Sequence, residues 1–368
     1  MNRARIGVLH VVHSLHVGGA EKLVHDLALR TDASRFAVSV ACLDDAGPLA
    51  PSLAAAGVPV EVLERRPGLD AGVVKRLRRL IVRHGIQVVH AHQYTPFFYG
   101  VTAARLAGAR CLFTEHGRHH PDVRKPKRVA ANPVLARLAQ ATVAVSEFTW
   151  RALIENDGFP PERVSVLYNG VETRGRAPVD RETARARLGL PPDAPVIGVC
   201  ARLSPEKNLP MLVEAFARVR RSFPSARLVI AGDGPARADV AQAVAAHGVG
   251  AAVHLPGFVS DVPGLMPALD VFALSSLTEG TSITLLEAML AGLPAVVTAV
   301  GGNPEIAVEG ETAWLVPSGD AAAFAERVGR LFASTELAGA FGAAGRARVE
   351  ARFTFEGMVR GYEALYVG

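Results

Sequence analysis

The sequence has no uncharged apolar run of the about 18 residues that a membrane-spanning helix requires. Its most apolar stretch, from Leu285 to Val300, is interrupted by Glu287. The apolar run near the start, Ile6–Val12, is shorter than the core of a signal peptide, and no small-residue cleavage site follows it. We therefore expect a cytoplasmic protein whose contact with membranes is at most peripheral.

Cysteine is also scarce. The three cysteines, Cys42, Cys111 and Cys200, lie far apart and lack the paired spacing of metal-ligand sets. Two of them fall within apolar runs typical of strands, so we expect reduced cysteines in the core. The sequence has no short-period repeat and no low-complexity segment, which argues against a solenoid.

The composition predicts a two-domain protein with acidic ligands. A chain of 368 residues with 49% hydrophobic content can bury more than one core. The net charge of +5 suits phosphates, lipid head groups or nucleic acid, and charge alone does not choose among them.

Short β-branched runs alternate with segments of helical periodicity, which predicts an α/β fold built from parallel βαβ units. The alternation occurs twice. The first series of predicted strands is Ile6–Val12, Phe36–Cys42, Val60–Leu63, Val88–His90, Cys111–Thr114, Thr142–Val145 and Val164–Leu167. The second series is Val196–Cys200, Leu228–Ala231, Val253–Leu255, Val271–Leu274, Ala295–Val297 and Thr312–Val316.

These series predict two Rossmann-like doubly wound domains. The first covers residues 1–174, and residues 175–192, which are rich in proline and charge, form a linker. The second domain covers residues 193–352. Residues 353–368 carry an apolar stripe and form a further helix.

In such sheets the ligand lies beyond the carboxyl ends of the strands, so the loops after each strand are the most informative. After the first strand, Gly18 and Gly19 precede a helix and can present backbone N–H groups to an anion. The loop is not a G-x-G-x-x-G dinucleotide fingerprint. An ordinary tight turn remains the alternative for this glycine pair.

Arg202 and Lys207 follow the strand that ends at Cys200. Lys207 precedes a helix, where a cation opposes the helix dipole, so a phosphate partner would explain its presence. The two side chains could clamp a diphosphate. The alternative is a solvated basic pair. Asp233 lies between two glycines after the next strand, and we interpret that segment as a structural turn.

The strongest local signal runs from Leu274 to Pro294 as strand, loop and helix. The helix is predicted to begin near Thr281 or Ser282 and to end at Gly292, which places Glu279 before it and Glu287 inside it. A buried carboxylate needs donors, and a ribose diol supplies two. A salt bridge to a neighbouring arginine is the alternative for Glu287. The N–H groups at the helix start suit a phosphate or a sugar hydroxyl and belong to Gly280, Thr281, Ser282 and Ile283.

Glu279-x7-Glu287, preceded by Arg202-x4-Lys207 and by Gly232-Asp233-Gly234, resembles the retaining glycosyltransferases of family 4, which have the GT-B fold. The resemblance extends over nearly the whole chain. Further matching segments are Gly18-Gly19-Ala20-Glu21, His90-Ala91-His92, Thr114-Glu115-His116-Gly117, Ser146, Asn169-Gly170-Val171 and Gly301-Gly302-Asn303-Pro304-Glu305. It implies two domains that face a cleft and a C-terminal helix that crosses back to the first domain.

The resemblance implies a role for each matched residue. Arg202 and Lys207 would bind the donor's diphosphate, Glu287 the nucleotide ribose and Glu279 the donor sugar. His116 would lie beside the reacting sugar. Gly18 and Gly19 would approach phosphate from the first domain, and Gly257 and Phe258 would frame the base. Gly280-Thr281-Ser282 stands where the family often has Gly-Phe-Gly, which leaves the sugar contacts there open.

A nucleoside diphosphate leaves readily once its charge is stabilised, and two cations with helix N–H groups can supply that. The sequence has no D-x-D triplet to hold a metal, so we expect no metal and no cofactor. The resemblance implies a UDP or GDP hexose as donor, retention of anomeric configuration, and a saccharide or lipid-linked acceptor, as in polysaccharide, lipid-linked saccharide or glycolipid synthesis.

The histidines offer a rival hypothesis. His90-x-His92 and His116-x-x-His119-His120 have spacings compatible with zinc, although no cysteine or nearby carboxylate completes the set. Other function classes on the same fold are an epimerase, a phosphorylase, for which no pyridoxal lysine stands out, and a non-catalytic nucleotide-binding scaffold.

Basic residues of the first domain predict contact with an anionic membrane at its cytoplasmic face. One group lies on a helix and comprises Lys75, Arg76, Arg78, Arg79 and Arg83. A second group is predicted to lie in a loop and comprises Arg118, Arg124, Lys125, Lys127 and Arg128, with His119, His120 and Pro121 between them. Each basic residue near such a surface contributes about 1 kcal/mol. The alternative is a solvated basic face. No aromatic platform accompanies the charges, so we expect no nucleic-acid partner.

Overall fold

The computed structural model describes residues 5–16, 18–117, 123–173 and 179–368. These residues form two compact units, Met1–Tyr168 with Glu356–Gly368 and Asn169–Phe355. Each unit is built on its own parallel sheet flanked by helices. The predicted α/β fold class, with two doubly wound domains, is therefore confirmed.

The first unit contains a seven-stranded sheet with strand order β3-β2-β1-β4-β5-β6-β7. Its strands are β1 (Ile6–Val12), β2 (Phe36–Cys42), β3 (Val60–Val62), β4 (Ile86–His92), β5 (Arg110–Glu115), β6 (Ala141–Ala144) and β7 (Val164–Val166). Strand order reverses between β1 and β4. Ligands of doubly wound sheets bind at the carboxyl ends of strands beside such a reversal.

Helices connect these strands and bury the sheet. They are α1 (Gly19–Arg30), α2 (Ala50–Ala55), α3 (Ala71–Arg83), α4 (Tyr94–Ala107), α5 (Pro126–Leu138) and α6 (Glu147–Glu155). Because helices cover it, the sheet has strands such as β1 that are apolar almost throughout. A core that includes Leu9, Val89, Phe97 and Phe113 lies between strands and helices.

The second unit contains a six-stranded sheet with strand order β10-β9-β8-β11-β12-β13, which reverses between β8 and β11. Its strands are β8 (Val196–Cys200), β9 (Arg227–Ala231), β10 (Val253–Gly257), β11 (Val271–Leu274), β12 (Ala295–Thr298) and β13 (Ala313–Val316). Its helices are α7 (Arg181–Arg187), α8 (Leu209–Ser222), α9 (Arg237–Ala246), α10 (Val262–Leu265), α11 (Ile283–Leu290), α12 (Asn303–Ile306), α13 (Ala321–Ala333) and α14 (Thr335–Arg352).

The last helix, α15 (Phe355–Val367), belongs from Glu356 onward to the first unit. Its apolar stripe is buried, and Tyr362 and Tyr366 are fully enclosed. The side chain of Arg110 bonds the carbonyl of Tyr366, and that of Gln140 donates to the carbonyl of Leu365 at 3.1 Å. Side chains at the start of β5 and just before β6 therefore hold the helix on the sheet of the first unit.

Part of the predicted linker, residues 175–192, belongs to the second unit. Residues 174–178 lie outside the described residues, whereas α7 is part of the second unit. The side chain of Arg185 is 3% exposed and donates to Asp270 at 2.8 Å and to the carbonyl of Ala268 at 3.2 Å. Asp270, which lies just before β11, therefore pairs the charge of Arg185. The chain enters the second unit earlier than the proline content of this segment suggested.

The second basic group also differs from its prediction as a loop. Arg118, His119, His120 and Pro121 lie outside the described residues, but Lys127 and Arg128 form the first turn of α5. Pro126 opens this helix, a position at which proline is well tolerated. The loop prediction was therefore wrong for these two residues.

Two predictions drawn from absences can be compared with the structure. The three cysteines are buried and unpaired, as expected. In the described part of the chain, none of the helices has the length and apolar character needed to cross a bilayer.

Candidate active site

The strand reversal of the second unit brings together a lysine and a glutamate that the sequence analysis singled out. Lys207 ends a short 3-10 turn between β8 and α8, and Glu279 follows β11. The ammonium Nζ of Lys207 donates to Oε1 of Glu279 at 2.7 Å, and the two side chains are 20% and 9% exposed. We call these two residues the Lys207–Glu279 pair.

Two buried serines hold the loops that carry this pair. Ser276 donates from its hydroxyl to Oε1 of Glu279 at 2.6 Å, and Ser275 donates to the backbone carbonyl of Lys207 at 2.8 Å. Thr298 at the end of β12 donates to the carbonyl of Ser276 at 2.7 Å. Sequence reasoning gave the serines no role. Their signal was a pair of small hydroxyl residues directly after an apolar strand.

A glycine turn packs against the backbone of Glu279. Gly301 has a φ of +57°, and a Cβ there would lie 2.0 Å from the Glu279 carbonyl oxygen. Gly302 donates its N–H to the same oxygen at 3.1 Å. Only glycine fits this close approach, which explains why the Gly301-Gly302 segment accompanies the glutamate.

Glu287 lies on α11, whose start agrees with the prediction. Ser282 is the N-cap and accepts from the N–H of Leu285 at 3.3 Å. Gly292, with a φ of +77°, follows the end of the helix. Glu287 is half-buried. The pKa of Cys200 on β8 is raised to about 12, chiefly by burial of the thiol and secondly by the charge of Glu287. The carboxylate of Glu287 therefore lies near the end of β8.

The four predicted donor-binding residues at the start of α11 are buried or half-buried. Thr281 and Ser282 are buried, and Gly280 and Ile283 are half-buried. Arg202 is exposed, and its carbonyl accepts from the N–H of Ser204 at 3.0 Å. No contact between Arg202 and Lys207 is found among the described residues.

The Gly232-Asp233-Gly234 turn has a packing role. A Cβ at Gly232 would lie 1.8 Å from the Ala201 carbonyl oxygen, and Asp233 accepts through its own carbonyl from the N–H of Leu203 at 3.0 Å. Gly232 in turn donates to the carbonyl of Gly257 at 2.7 Å. The turn therefore fixes both the loop before Lys207 and Gly257. Phe258, the next residue, is 57% exposed.

The first unit places its predicted residues beside the reversal of its own sheet. Gly18 is the N-cap of α1 with extended backbone, and Gly19 opens the helix. A Cβ at Gly19 would meet nothing within 4 Å. Protein packing therefore does not require glycine there, so the absent side chain leaves room for a ligand to approach the backbone.

His116, which follows β5, is hydrogen-bonded to a row of buried histidines. Its Nε2 lies 2.9 Å from Nδ1 of His92, and Nε2 of His92 lies 2.9 Å from Nδ1 of His10. We call His10, His92 and His116 the histidine array. Sequence reasoning missed His10, although a histidine inside the apolar run Ile6–Val12 was a visible signal.

His90 lies beside the histidine array and has other partners. Its Nδ1 is 2.8 Å from the hydroxyl of Tyr366, and its Nε2 is 2.8 Å from the hydroxyl of Thr114. Thr114 also donates to the hydroxyl of Tyr362 at 3.4 Å. His90 therefore joins β4 and β5 to α15.

Burial keeps these imidazoles neutral. It lowers the pKa of His10 to about 3 and that of His116 to about 4. Burial first and the neighbouring histidines second lower the pKa of His90 and of His92 well below the usual 6.5.

The same residues bear on the zinc hypothesis. Among the described residues, nitrogen atoms of His10, His90 and His92 lie within 4.8 Å of one another, which is close enough to suggest a metal site. Hydrogen bonds already use both ring nitrogens of His90 and of His92. A metal would have to displace them, so the arrangement fits a hydrogen-bonded core better than a ligand set. His119 and His120 lie outside the described residues.

Two family models match consecutive parts of the chain. Residues 17–174 match the model described as Glycosyltransferase Family 4, and residues 180–348 match that described as Glycosyl transferases group 1. Together the two matches extend over both units.

Individual proteins are similar over most of their length. The putative glycosyltransferase EpsD of Bacillus subtilis is 32% identical over 287 residues, which are 75% of this chain and 75% of that protein. A GDP-mannose-dependent alpha-(1-6)-phosphatidylinositol monomannoside mannosyltransferase of Mycolicibacterium smegmatis is 33% identical over 291 residues, 74% of each chain.

Among solved structures, HepE of Anabaena in complex with UDP and glucose superposes with a TM-score of 0.85. It is 24% identical, and the superposition covers 98% of this chain and 99% of HepE. At this identity the likeness concerns the fold, which is the two-domain GT-B fold.

Proposed function

This chain belongs to glycosyltransferase family 4, and from that premise we propose that it transfers a hexose from a nucleotide diphosphate sugar to an acceptor with retention of anomeric configuration. The observation that carries the proposal is the Lys207–Glu279 pair at the strand reversal of the second unit. A cation held there beside a helix start meets the needs of a departing diphosphate.

Lys207 and Arg202 bind the diphosphate in this proposal. Lys207 lies two residues before α8, where its charge opposes the helix dipole unless an anion is nearby. Glu279 balances that charge in the described state. Arg202 is exposed, so its guanidinium can turn toward a phosphate without leaving a buried partner.

Glu279 and Glu287 recognise the two sugars of the donor. Ser276 and Lys207 both donate to Oε1 of Glu279, so we propose that Oε2 accepts from a hydroxyl of the transferred hexose. Glu287 accepts from the ribose diol. The N–H groups from Gly280 to Ile283 lie at the start of α11, next to Glu279, and suit the same donor.

The first unit contributes His116, Gly18 and Gly19. The open space at Gly19 supports close approach of a phosphate to the backbone. His116 contacts the reacting sugar through Nδ1, because its Nε2 is bonded to His92. We expect no metal and no cofactor, since the proposed charge stabilisation comes from Lys207, Arg202 and backbone N–H groups.

The donor nucleotide and the acceptor remain open within this proposal. The similar mannosyltransferase is named for GDP-mannose and a phosphatidylinositol mannoside, whereas HepE was solved with UDP and glucose. Both nucleotides are therefore candidates. Polysaccharide, lipid-linked saccharide and glycolipid synthesis are the candidate processes in the cytoplasm.

A lipid-linked acceptor at an anionic membrane is supported by one face of the first unit. Lys75, Arg78 and Arg79 on α3 are exposed, as are Val82 and Leu106 at 60% and 58%. Arg78 donates to the carbonyl of Leu106 at 3.2 Å, so α3 and α4 present these groups together. Exposed cations beside apolar side chains suit a phospholipid surface.

The membrane proposal is tested by sedimentation with anionic and neutral vesicles at low and high salt. We expect binding to anionic vesicles at low salt and its loss in the double variant Lys75→Ser/Arg79→Ser. Arg218→Ser, on the exposed face of α8 in the second unit, is the matched control. A protein that stays in the supernatant with anionic vesicles at low salt would contradict the membrane proposal and favour a soluble acceptor.

Transfer itself is tested by incubating the protein with a panel of UDP and GDP sugars, with and without saccharide and lipid-linked acceptors. We expect turnover of one donor that rises with acceptor and persists in a metal chelator. An epimerase would convert the donor without acceptor, a phosphorylase would require inorganic phosphate, and a scaffold would bind nucleotide without turnover. Any of these three results would contradict the proposed function.

A further inference from the structure

The histidine array crosses three adjacent strands in regular steps. His10 on β1 is in register with His90 on β4, and His92 lies two residues further along β4. His92 is in register with Thr114 on β5, and His116 lies two residues beyond it. Side chains two residues apart in a strand share a face, so each step moves one strand across and two residues toward the carboxyl edge.

The hydrogen bonds of the array link the protonation of its members. A neutral imidazole has one N–H and one acceptor nitrogen. If His10 donates from Nδ1 to His92, then His92 donates from Nδ1 to His116, and His116 carries its own hydrogen on Nδ1. In the opposite arrangement all three hydrogens lie on Nε2, and Nδ1 of His116 is an acceptor.

The inner end of the array favours the first arrangement. Nε2 of His10 is buried and has no hydrogen-bond partner among the described residues. The opposite arrangement would place an unpaired N–H at this atom, inside the sheet. The first arrangement moves the unpaired N–H to Nδ1 of His116, which is also buried without a partner in the described part of the chain but lies beyond the carboxyl end of β5, where a ligand of the sheet can accept from it. An unpaired buried N–H is costly, so the first arrangement is the one that a bound ligand stabilises.

We propose that His10 and His92 are positioning residues that hold His116 in the Nδ1–H tautomer, so that it faces the donor sugar as a neutral hydrogen-bond donor. The inference rests on the proposed role of His116 in sugar transfer. Nδ1 of His116 is enclosed and is its remaining ring nitrogen, since Nε2 accepts from His92. His10 and His92 thus act on His116 from the core of the sheet and do not contact the substrate themselves.

His90 supplies a matched comparison. It lies on the same strand, two residues from His92, and both are buried, at 0% and 2% exposure. Its partners are Thr114 and Tyr366 rather than His116. A substitution at His90 therefore removes a similarly buried pair of hydrogen bonds and none of the array's own, although the His90 ring packs against those of His10 and His92.

The first readout is the tautomer itself, measured by nitrogen-15 NMR of histidine-labelled protein without any substrate. The His116 signals, assigned by their loss in His116→Leu, should show the Nδ1–H form in the wild type. His92→Leu and His10→Leu should shift them toward a mixture, although His10 does not contact His116. His90→Leu should leave them unchanged. A wild-type Nε2–H form, or an unchanged tautomer in both array variants, would overturn the proposal.

The second readout is turnover against nucleotide binding. His92→Leu should lower kcat by about 100-fold through misplacement of His116. The Kd for UDP or GDP, which we assign to the second unit, should stay within about twofold. His92→Asn keeps a donor toward His116 and should recover much of the loss, whereas His90→Leu should lose thermal stability with little change in kcat. Equal kcat for His92→Leu and His90→Leu would refute the positioning role.

His116→Leu separates this inference from the function it rests on. If His116→Leu retains wild-type kcat, the catalytic role of His116 is wrong and the positioning role falls with it, even if the NMR assigns the Nδ1–H tautomer. If His116→Leu loses activity while His92→Leu keeps it, the function stands and the positioning role is wrong.

Discussion

The two sheets differ in the charge of the side chains near their strand reversals. In the second unit a charged lysine and glutamate pair with each other and keep partial exposure. In the first unit, β1 and the segment after β5 carry imidazoles, His10 and His116, that burial holds neutral. In the function we propose, this difference is a division of work, with charge placed where a diphosphate would depart and neutral imidazoles where a sugar would be oriented.

The largest effect should come from removing charge in the second unit. Lys207→Ala should lower kcat by about 100- to 1000-fold, because a preorganised cation for the leaving diphosphate is lost. Glu279→Gln should also act chiefly on turnover. The measurement is the initial rate at saturating donor, with Arg218→Ala on the exposed face of α8 in the same unit as the control.

The double variant Lys207→Ala/Glu279→Gln sharpens this test. If the two residues only neutralise each other, removing both should restore turnover, because no unpaired charge remains. We expect the double variant to stay inactive. Recovery of wild-type kcat would show that the pair is structural.

The next effect should appear in nucleotide affinity. Glu287→Gln should weaken binding of the nucleoside diphosphate by about 1.5–3 kcal/mol if the carboxylate holds the ribose through charge-assisted hydrogen bonds. Calorimetric titration checks this, with Glu214→Gln on α8 as an exposed control. Equal affinities in wild type and Glu287→Gln would refute the ribose assignment.

The neutral histidines of the first unit should make the free energy of unfolding depend on pH. The folded pKa values of His10 and His116 lie below the unfolded value of about 6.5, so the unfolded chain binds more protons in acid. Their contribution is complete above pH 6.5 and is lost as pH falls toward about 4 and then 3. The other groups facing the array, His90, Tyr362 and Tyr366, have pKa values that favour neutrality as well.

The expected loss is about 1.4 kcal/mol per histidine for each pH unit below 6.5. Denaturant unfolding between pH 7.5 and 5 measures it, and His10→Asn should show a shallower slope. A slope that is the same in wild type and His10→Asn would contradict neutral burial of His10.

The smallest effect concerns the bond between His90 and the C-terminal helix. Tyr366→Phe removes the hydroxyl that lies 2.8 Å from Nδ1 of His90 and should cost about 1 kcal/mol of stability. Because the Tyr366 hydroxyl bonds to His90 and to no member of the histidine array, and the variant keeps the ring that packs against His10, kcat should not change. Thermal unfolding and initial rates test both parts, and a lowered kcat would show that the two groups of histidines are not independent.

The sequence predicted much of the fold because each strand is an apolar run between turn residues. Within the described ranges, all thirteen strands lie where β-branched runs predicted them, with ends that differ by up to two residues. The start of α11 was also predicted, since Ser282 is a good N-cap. The error at α7 arose because a paired, buried Arg185 looks in sequence like any solvated charge.

The candidate site was predicted less completely. Glu279 and Lys207 could be identified from the sequence because they are charged residues in loops after strands. Their contact could not, because it depends on β8 and β11 being neighbours in the sheet. Ser275 and Ser276 were not assigned because a serine pair carries no sign of its partners. His10 was missed because the pairing of β1 with β4, which creates the histidine array, joins residues 80 positions apart.

The most direct test of the account is an NMR time course of the transfer reaction in the presence of a metal chelator. The account predicts that the active donor, an α-linked UDP or GDP hexose, yields an α-linked product while wild-type rates persist and Lys207→Ala is nearly inactive. A β-linked product, or a reaction that stops in the chelator and resumes with a divalent cation, would contradict it.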